Sequence, residues 1–145
     1  MTSTFILSEA KFREFTDVND SLDTALIKNA IREAQDIHLQ RIIGTKLYNK
    51  ILSDIDASSL TGDYETLVND YIQDFLLYAA YYETLEAIYI RPRNNGLLTP
   101  TGGENSIEVD RSLFNVKRQS VENKMEFYAE KLSQYISENE NTFPY

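Results

Sequence analysis

The side chains able to do chemistry in this chain are few. There is one histidine, His38, and there are no cysteines. A Cys–His nucleophile pair and a thiolate metal site are therefore both excluded. Acids at helical spacing occur as Glu83 with Glu86 and Glu122 with Glu126. Helical enzymes that hydrolyse nucleotides hold magnesium with denser sets, an ExxE followed by an ExxD. This chain has no such set, no HExxH and no GK[ST] phosphate loop. His38 falls on the apolar face of a helix, where a lone histidine reads as a packed side chain. The expectation is a protein without catalysis, cofactor or metal.

The remaining acids are unevenly placed. Asp54, Asp56, Asp63, Glu65, Asp70, Asp74, Glu83 and Glu86 follow one another with no Lys or Arg between Lys50 and Arg91. Asp63, Asp70 and Asp74 share one side of a predicted helix. They read either as a solvated acidic face or as a surface from which nucleic acid is repelled, such as a channel wall that DNA slides past. The net charge of −9 argues against general nucleic-acid binding, which needs basic residues to displace counterions.

The elements that position these residues are helices. A length of 145 residues, 42% apolar and 26% charged, sets one globular domain, 1–145. No apolar run approaches the ~20 residues of a membrane-spanning helix. The start, MTSTFILSEAKF, does not read as a signal peptide.

Four main helices are predicted, at about 22–43, 45–55, 64–90 and 110–139, with a long loop at 91–109. Ahead of them, Phe5 and Leu7 suggest an extended segment and Ser8 a cap for one helical turn. In the first main helix Ile27, Ala30, Ile31, Ala34, Ile37 and His38 fall on one face. Leu39 and Ile43 lie off that stripe, which implies either a wide buried face or a second contact surface. Gly44 ends this helix, expected in the left-handed conformation, and Thr45 is expected to cap the next. Leu47, Tyr48, Ile51, Leu52 and Ile55 form the stripe of the second helix.

The third helix is the most apolar, with Leu67, Tyr71, Phe75, Tyr78, Ala79, Tyr82, Leu85 and Tyr89 along its arc. It is predicted to be central. Its tyrosines read as core-edge residues or as contacts to another chain. The expected core is Ile31, Ala34, Leu47, Ile51, Leu67, Tyr71, Phe75, Val121, Met125 and Leu132.

The loop RPRNNGLLTPTGGENSIEV concentrates turn residues, and Asn95-Gly96 suits a tight hairpin turn. Its apolar residues Leu97, Leu98 and Ile107 need cover. With Arg91, Arg93, Asn95 and Gly96 they form a candidate contact surface for a neighbouring subunit or partner. The last residues, Phe143-Pro144-Tyr145, read as a frayed end or a short docking peptide.

The order of these features resembles a family. The FILS start, AQDIHLQRIIGTKLYNKI, the acidic link, the long aromatic helix, the NNG loop and the long final helix are similar to head–tail connector (head-completion adaptor) proteins of tailed bacteriophages. The likeness is to the forms found in phages of gut Bacteroidales, including the crAss-like group. It rests most on Ala34-Gln35-Asp36, Ile43-Gly44-Thr45-Lys46-Leu47-Tyr48 and Asn94-Asn95-Gly96. The resemblance implies a structural virion protein, assembled in the host cytoplasm. It further implies a homo-oligomeric ring of about a dozen copies beneath the portal protein, extending the DNA channel and docking the next tail component. The rival expectations are a small helical protein–protein interaction module and, less well supported, a helical nucleotide hydrolase.

Overall fold

A computed structural model of the chain describes residues 4–16, 23–89, 92–93, 96–97 and 104–144. The fold is all-α, with five helices among the described residues. Helix α1 is Glu9–Phe15. Helix α2 runs from Thr24 to Ile43 and contains a π-helical stretch, Ala34–Leu39. Helix α3 is Thr45–Asp56. Helix α4 runs from Gly62 to Tyr89 with a π-helical stretch at Val68–Ile72. Helix α5 is Glu104–Glu138. Between α4 and α5, Pro92–Arg93 (β1) pairs antiparallel with Gly96–Leu97 (β2), Pro92 opposite Leu97. Arg93 lies opposite Gly96, so Gly96, expected in a tight turn with Asn95, is instead a ladder residue.

Helix α4 is central. It packs along α5 on one side and α2 on the other. Leu67, Val68, Ile72, Phe75, Leu76, Ala79 and Ala80 are among its buried residues, closed over by Ile27, Ile31, Leu39, Leu47, Ile51, Val121 and Leu132. Most of the expected core is there. Tyr71 and Met125 are only half-buried and pack at its edge.

The two π stretches account for the errors of face. A π turn accommodates one more residue than an α turn and rotates everything beyond it. In α2 it turns Leu39 and Ile43 into the core and turns Ile37 out, leaving it 47% exposed. Leu39 and Ile43 are therefore buried in the chain's own core, on a face that is rotated and not widened. In α4 the same shift buries Val68 and Ile72 and leaves Tyr71 at the rim.

The corner between α2 and α3 is tight as expected, with different chemistry. Gly44 has φ 86° and ψ 157°, which is not the left-handed helical conformation but an extended region nearly exclusive to glycine. Gly44 itself is the N-cap of α3, without a side-chain cap, and Thr45 is the first helical residue. The Thr45 hydroxyl instead accepts from Gln40 Nε2 at 3.1 Å. The Tyr48 hydroxyl donates to Asp36 Oδ1 at 2.6 Å and braces the two helices. The cap expected at Ser8 is present, its Oγ accepting from the Lys11 N–H, and Asp23 Oδ1 caps α2 by accepting from the Ala25 N–H.

Helix α5 begins at Glu104, six residues earlier than the predicted 110, so the stretch 91–109 is not one long loop. The glycines just before residues 104–109 suggest a loop, but Ser106, Ile107 and Glu108 continue the helix. Phe143 is docked and not frayed, buried edge-on against Tyr64 at 5.3 Å between centroids.

Candidate interaction face

Helices α4 and α5 meet in a seam of aromatic rings. Tyr71 stacks on Tyr135 with centroids 3.9 Å apart and planes 12° apart. One heptad on, Tyr78 stacks on Tyr128 at 5.3 Å and 6°. Both helices repeat their tyrosines at seven residues, so antiparallel packing brings ring to ring. Lysines of α5 at the same spacing cover the rings: Lys117 lies 5.3 Å over Tyr81, Lys124 5.9 Å over Tyr78 and Lys131 5.5 Å over Tyr71. Each such contact adds about 0.5–1 kcal/mol at an exposed site.

The three singled-out acids flank this seam. Asp63 and Asp70 are exposed and Asp74 is half-buried. The Tyr135 hydroxyl is pushed up from its ordinary pKa by burial, then by Tyr71, Asp63 and Asp70. That of Tyr128 is pushed up by burial, then by Tyr78 and Asp74. Asp63 and Asp70 thus act on Tyr135, and Asp74 on Tyr128. The face is not purely acidic, because Lys131 also lies 5.9 Å over the Tyr128 ring. Charge that is segregated along the chain is mixed again by packing.

The contact residues expected in the 91–109 stretch are dispersed over different elements. Arg93 is in β1, and Gly96 and Leu97 are in β2. Ile107 is in the first turns of α5. Arg91, Asn95 and Leu98 lie outside the described residues.

A surface not singled out from the sequence runs along α5. Leu113, Val116 and Phe127 are 63%, 66% and 61% exposed. Around Val116 the helix presents a polar strip of Ser112, Asn115, Gln119, Ser120, Asn123 and Lys124. The signal was available: on a helical projection these positions lie roughly a quarter-turn or more from the Val121–Leu132 stripe.

The first acid pair considered for catalysis, Glu83 with Glu86, is occupied structurally. Glu83 Oε1 lies 2.7 Å from His38 Nε2. An ionised carboxylate can only accept, so His38 Nε2 carries the proton. This hydrogen bond holds the Glu83 carboxyl below its usual range, against the effect of burial. The neighbouring Glu33 is pushed up, by burial and by Glu83. Glu86 pairs with Arg118, whose Nη2 donates to the Tyr82 hydroxyl at 2.8 Å. Among the described residues there is no cluster of three or more acid or histidine side chains able to hold a metal. No described helix is long and apolar enough to cross a membrane.

A family model covers residues 39–145, which is more than half of the chain. The chain belongs to DUF6712, a family of unknown function. The matched segment contains α3, α4, α5 and the aromatic seam, and it begins inside the π stretch of α2. No curated protein and no solved structure matches the chain.

Proposed function

We propose that this member of DUF6712 is a structural, non-catalytic virion subunit, which forms a ring beneath a phage portal and joins head to tail. The observation that carries the reading is the row of exposed apolar side chains on α5, Leu113, Val116 and Phe127. A monomer gains nothing from holding three large apolar residues in water along one helix, whereas a ring buries them against the next copy. Three further features support it. The motif residues that carry the connector resemblance serve packing and turning: Asp36 and Tyr48 brace the corner that Gly44 makes. The acids nearest to a catalytic spacing are engaged with His38 and Arg118. The long α4–α5 pair gives each subunit a rigid pillar, about 50 Å along α5 at 1.5 Å per residue.

In this reading the partners are other copies of the chain, the portal protein and the next tail component. Asp63, Asp70 and Asp74 line the channel, where DNA passes without specific binding. The hairpin and the start of α5, including Arg93, Gly96, Leu97 and Ile107, contact a neighbour, as do Arg91, Asn95 and Leu98.

The test is the composition of purified virions. The reading expects this chain in the particle at a copy number comparable to that of the portal protein, with antibody label at the head–tail junction. Portal and capsid genes beside its own gene would agree. A chain absent from virions, present only in the infected cell as a monomer or dimer, would instead support the helical interaction module.

A further inference from the structure

The aromatic seam places two phenols where they can react with each other. The chain has ten tyrosines, no tryptophan and no cysteine. Indoles and thiols compete with phenols for one-electron oxidation, so here an electron is taken most readily from a tyrosine. Tyr71 and Tyr135 are the pair in closest contact, with centroids 3.9 Å apart and planes 12° apart. Carbon atoms touch at about 3.5–4 Å, so rings this close can only overlap face on face. In such an overlap an ortho carbon of one ring lies near an ortho carbon of the other, whichever way the hydroxyls point. Tyr78 and Tyr128 have slipped further past each other, at 5.3 Å.

Both side chains are half-buried, at the rim of the α4–α5 contact. A small oxidant therefore reaches the ring edges, while the packed helices hold the two backbones in place. Bond formation swings the rings from face contact toward edge contact. Half-buried side chains have room for that swing, and fully buried ones in a close-packed core do not. The charges around the pair differ. Asp63 and Asp70 act on the Tyr135 hydroxyl, and negative charge favours the loss of an electron from its ring. Lys131, 5.5 Å over the Tyr71 ring, opposes that loss from Tyr71.

We propose that Tyr71 and Tyr135 form an oxidative coupling site, at which a one-electron oxidant backed by a peroxide joins α4 to α5 through a dityrosine bond. Tyr135 gives up the first electron and Tyr71 the second, each with its phenolic proton, which passes to solvent. The two neutral radicals join through their ortho carbons. Each ring then moves its ortho hydrogen to its oxygen through solvent, which restores both phenols. The net loss is two electrons and two protons, and the O–O bond of the peroxide is reduced and broken by the two electrons. The new bond closes the chain between residues 71 and 135 into a loop and so restricts the unfolded state, as a disulfide would. The inference needs one folded chain and does not rest on the ring reading.

The test exposes the dilute full-length chain to light with a ruthenium tris-bipyridine sensitiser and persulfate, itself a peroxide. The expected product is a single chain lighter by two hydrogen atoms, with the blue fluorescence of dityrosine. Trypsin cuts after Lys131, which separates Tyr128 from Tyr135, so peptide mapping tells the two stacked pairs apart. The map should show the peptide that follows Lys50 linked to the one that follows Lys131. Tyr71→Phe and Tyr135→Phe keep the rings and should each abolish that link, whereas Tyr78→Phe should leave it. The linked parent should melt at a higher temperature than the untreated chain. A link that survives Tyr71→Phe, a link through Tyr128 in its place, or links only between chains would overturn the proposal. So would oxidation that ends at Met125 with no dityrosine. The peptide map of the parent decides the matter even where a variant fails to fold.

Discussion

His38 and Glu83 tie α2 to α4 through one hydrogen bond between half-buried side chains, edge-on to the Tyr82 ring. Because the Glu83 pKa is depressed on folding, its contribution is complete above the unfolded value of about 4.3 and is lost as pH falls through the lower folded value. Glu83→Gln should therefore lower stability by about 1–2 kcal/mol at pH 7. That difference should shrink steadily below about pH 4. Urea titrations of both proteins across that range check the sign. Ile51 is fully buried, and Ile51→Ala should cost about 2–5 kcal/mol; an unchanged denaturation midpoint would remove Ile51 from the core. Single residues of this kind were legible because each lies on an apolar stripe read directly from the sequence. His38 was legible as a packed histidine but its partner was not, since Glu83 is 45 positions away and nothing local announces the pairing.

At the scale of elements, a 3.6-residue period found the long helices and misplaced their faces wherever a π turn intervenes. Ile37 and Leu39 exchanged roles for that reason, and Tyr71 left the core. The start of α5 was missed because the prolines and glycines before it dominated the reading of Glu104–Val109. The side-chain amides of Gln35 and Gln73 hold the main chain at Ile6, and this was invisible, since a glutamine in a helix reads as a solvated residue until an extended segment is laid against it. The Gly44 corner, by contrast, was plain in the sequence, and its conformation sharpens the expectation. A Cβ at residue 44 would meet nothing within 4 Å, so the effect of Gly44→Ala is backbone strain alone. The substitution should destabilise by about 1–3 kcal/mol. Calorimetry should show a lowered melting temperature, with helix content at 25 °C unchanged. A variant as stable as the parent would mean that the corner adopts another geometry in solution.

For the molecule as a whole, the claim is that assembly completes what the folded chain leaves open. The acids on the seam give one consequence. If Asp63, Asp70 and Asp74 line a channel, the triple substitution to Lys should leave folding intact and slow the passage of DNA. Ejection at the normal rate by virions carrying all three lysines would remove them from the channel wall. The exposed apolar row on α5 gives the other. Val116 and Phe127 touch solvent, so Val116→Asp with Phe127→Asp should leave the melting temperature within a few degrees of the parent, as surface substitutions generally do within about ±0.5 kcal/mol. The decisive measurement is the mass of the particle that the full-length chain forms with purified portal rings. The account predicts about a dozen copies bound per portal for the parent, and none for the equally stable double variant. A parent that binds no portal, or a double variant that assembles as well as the parent, would contradict it.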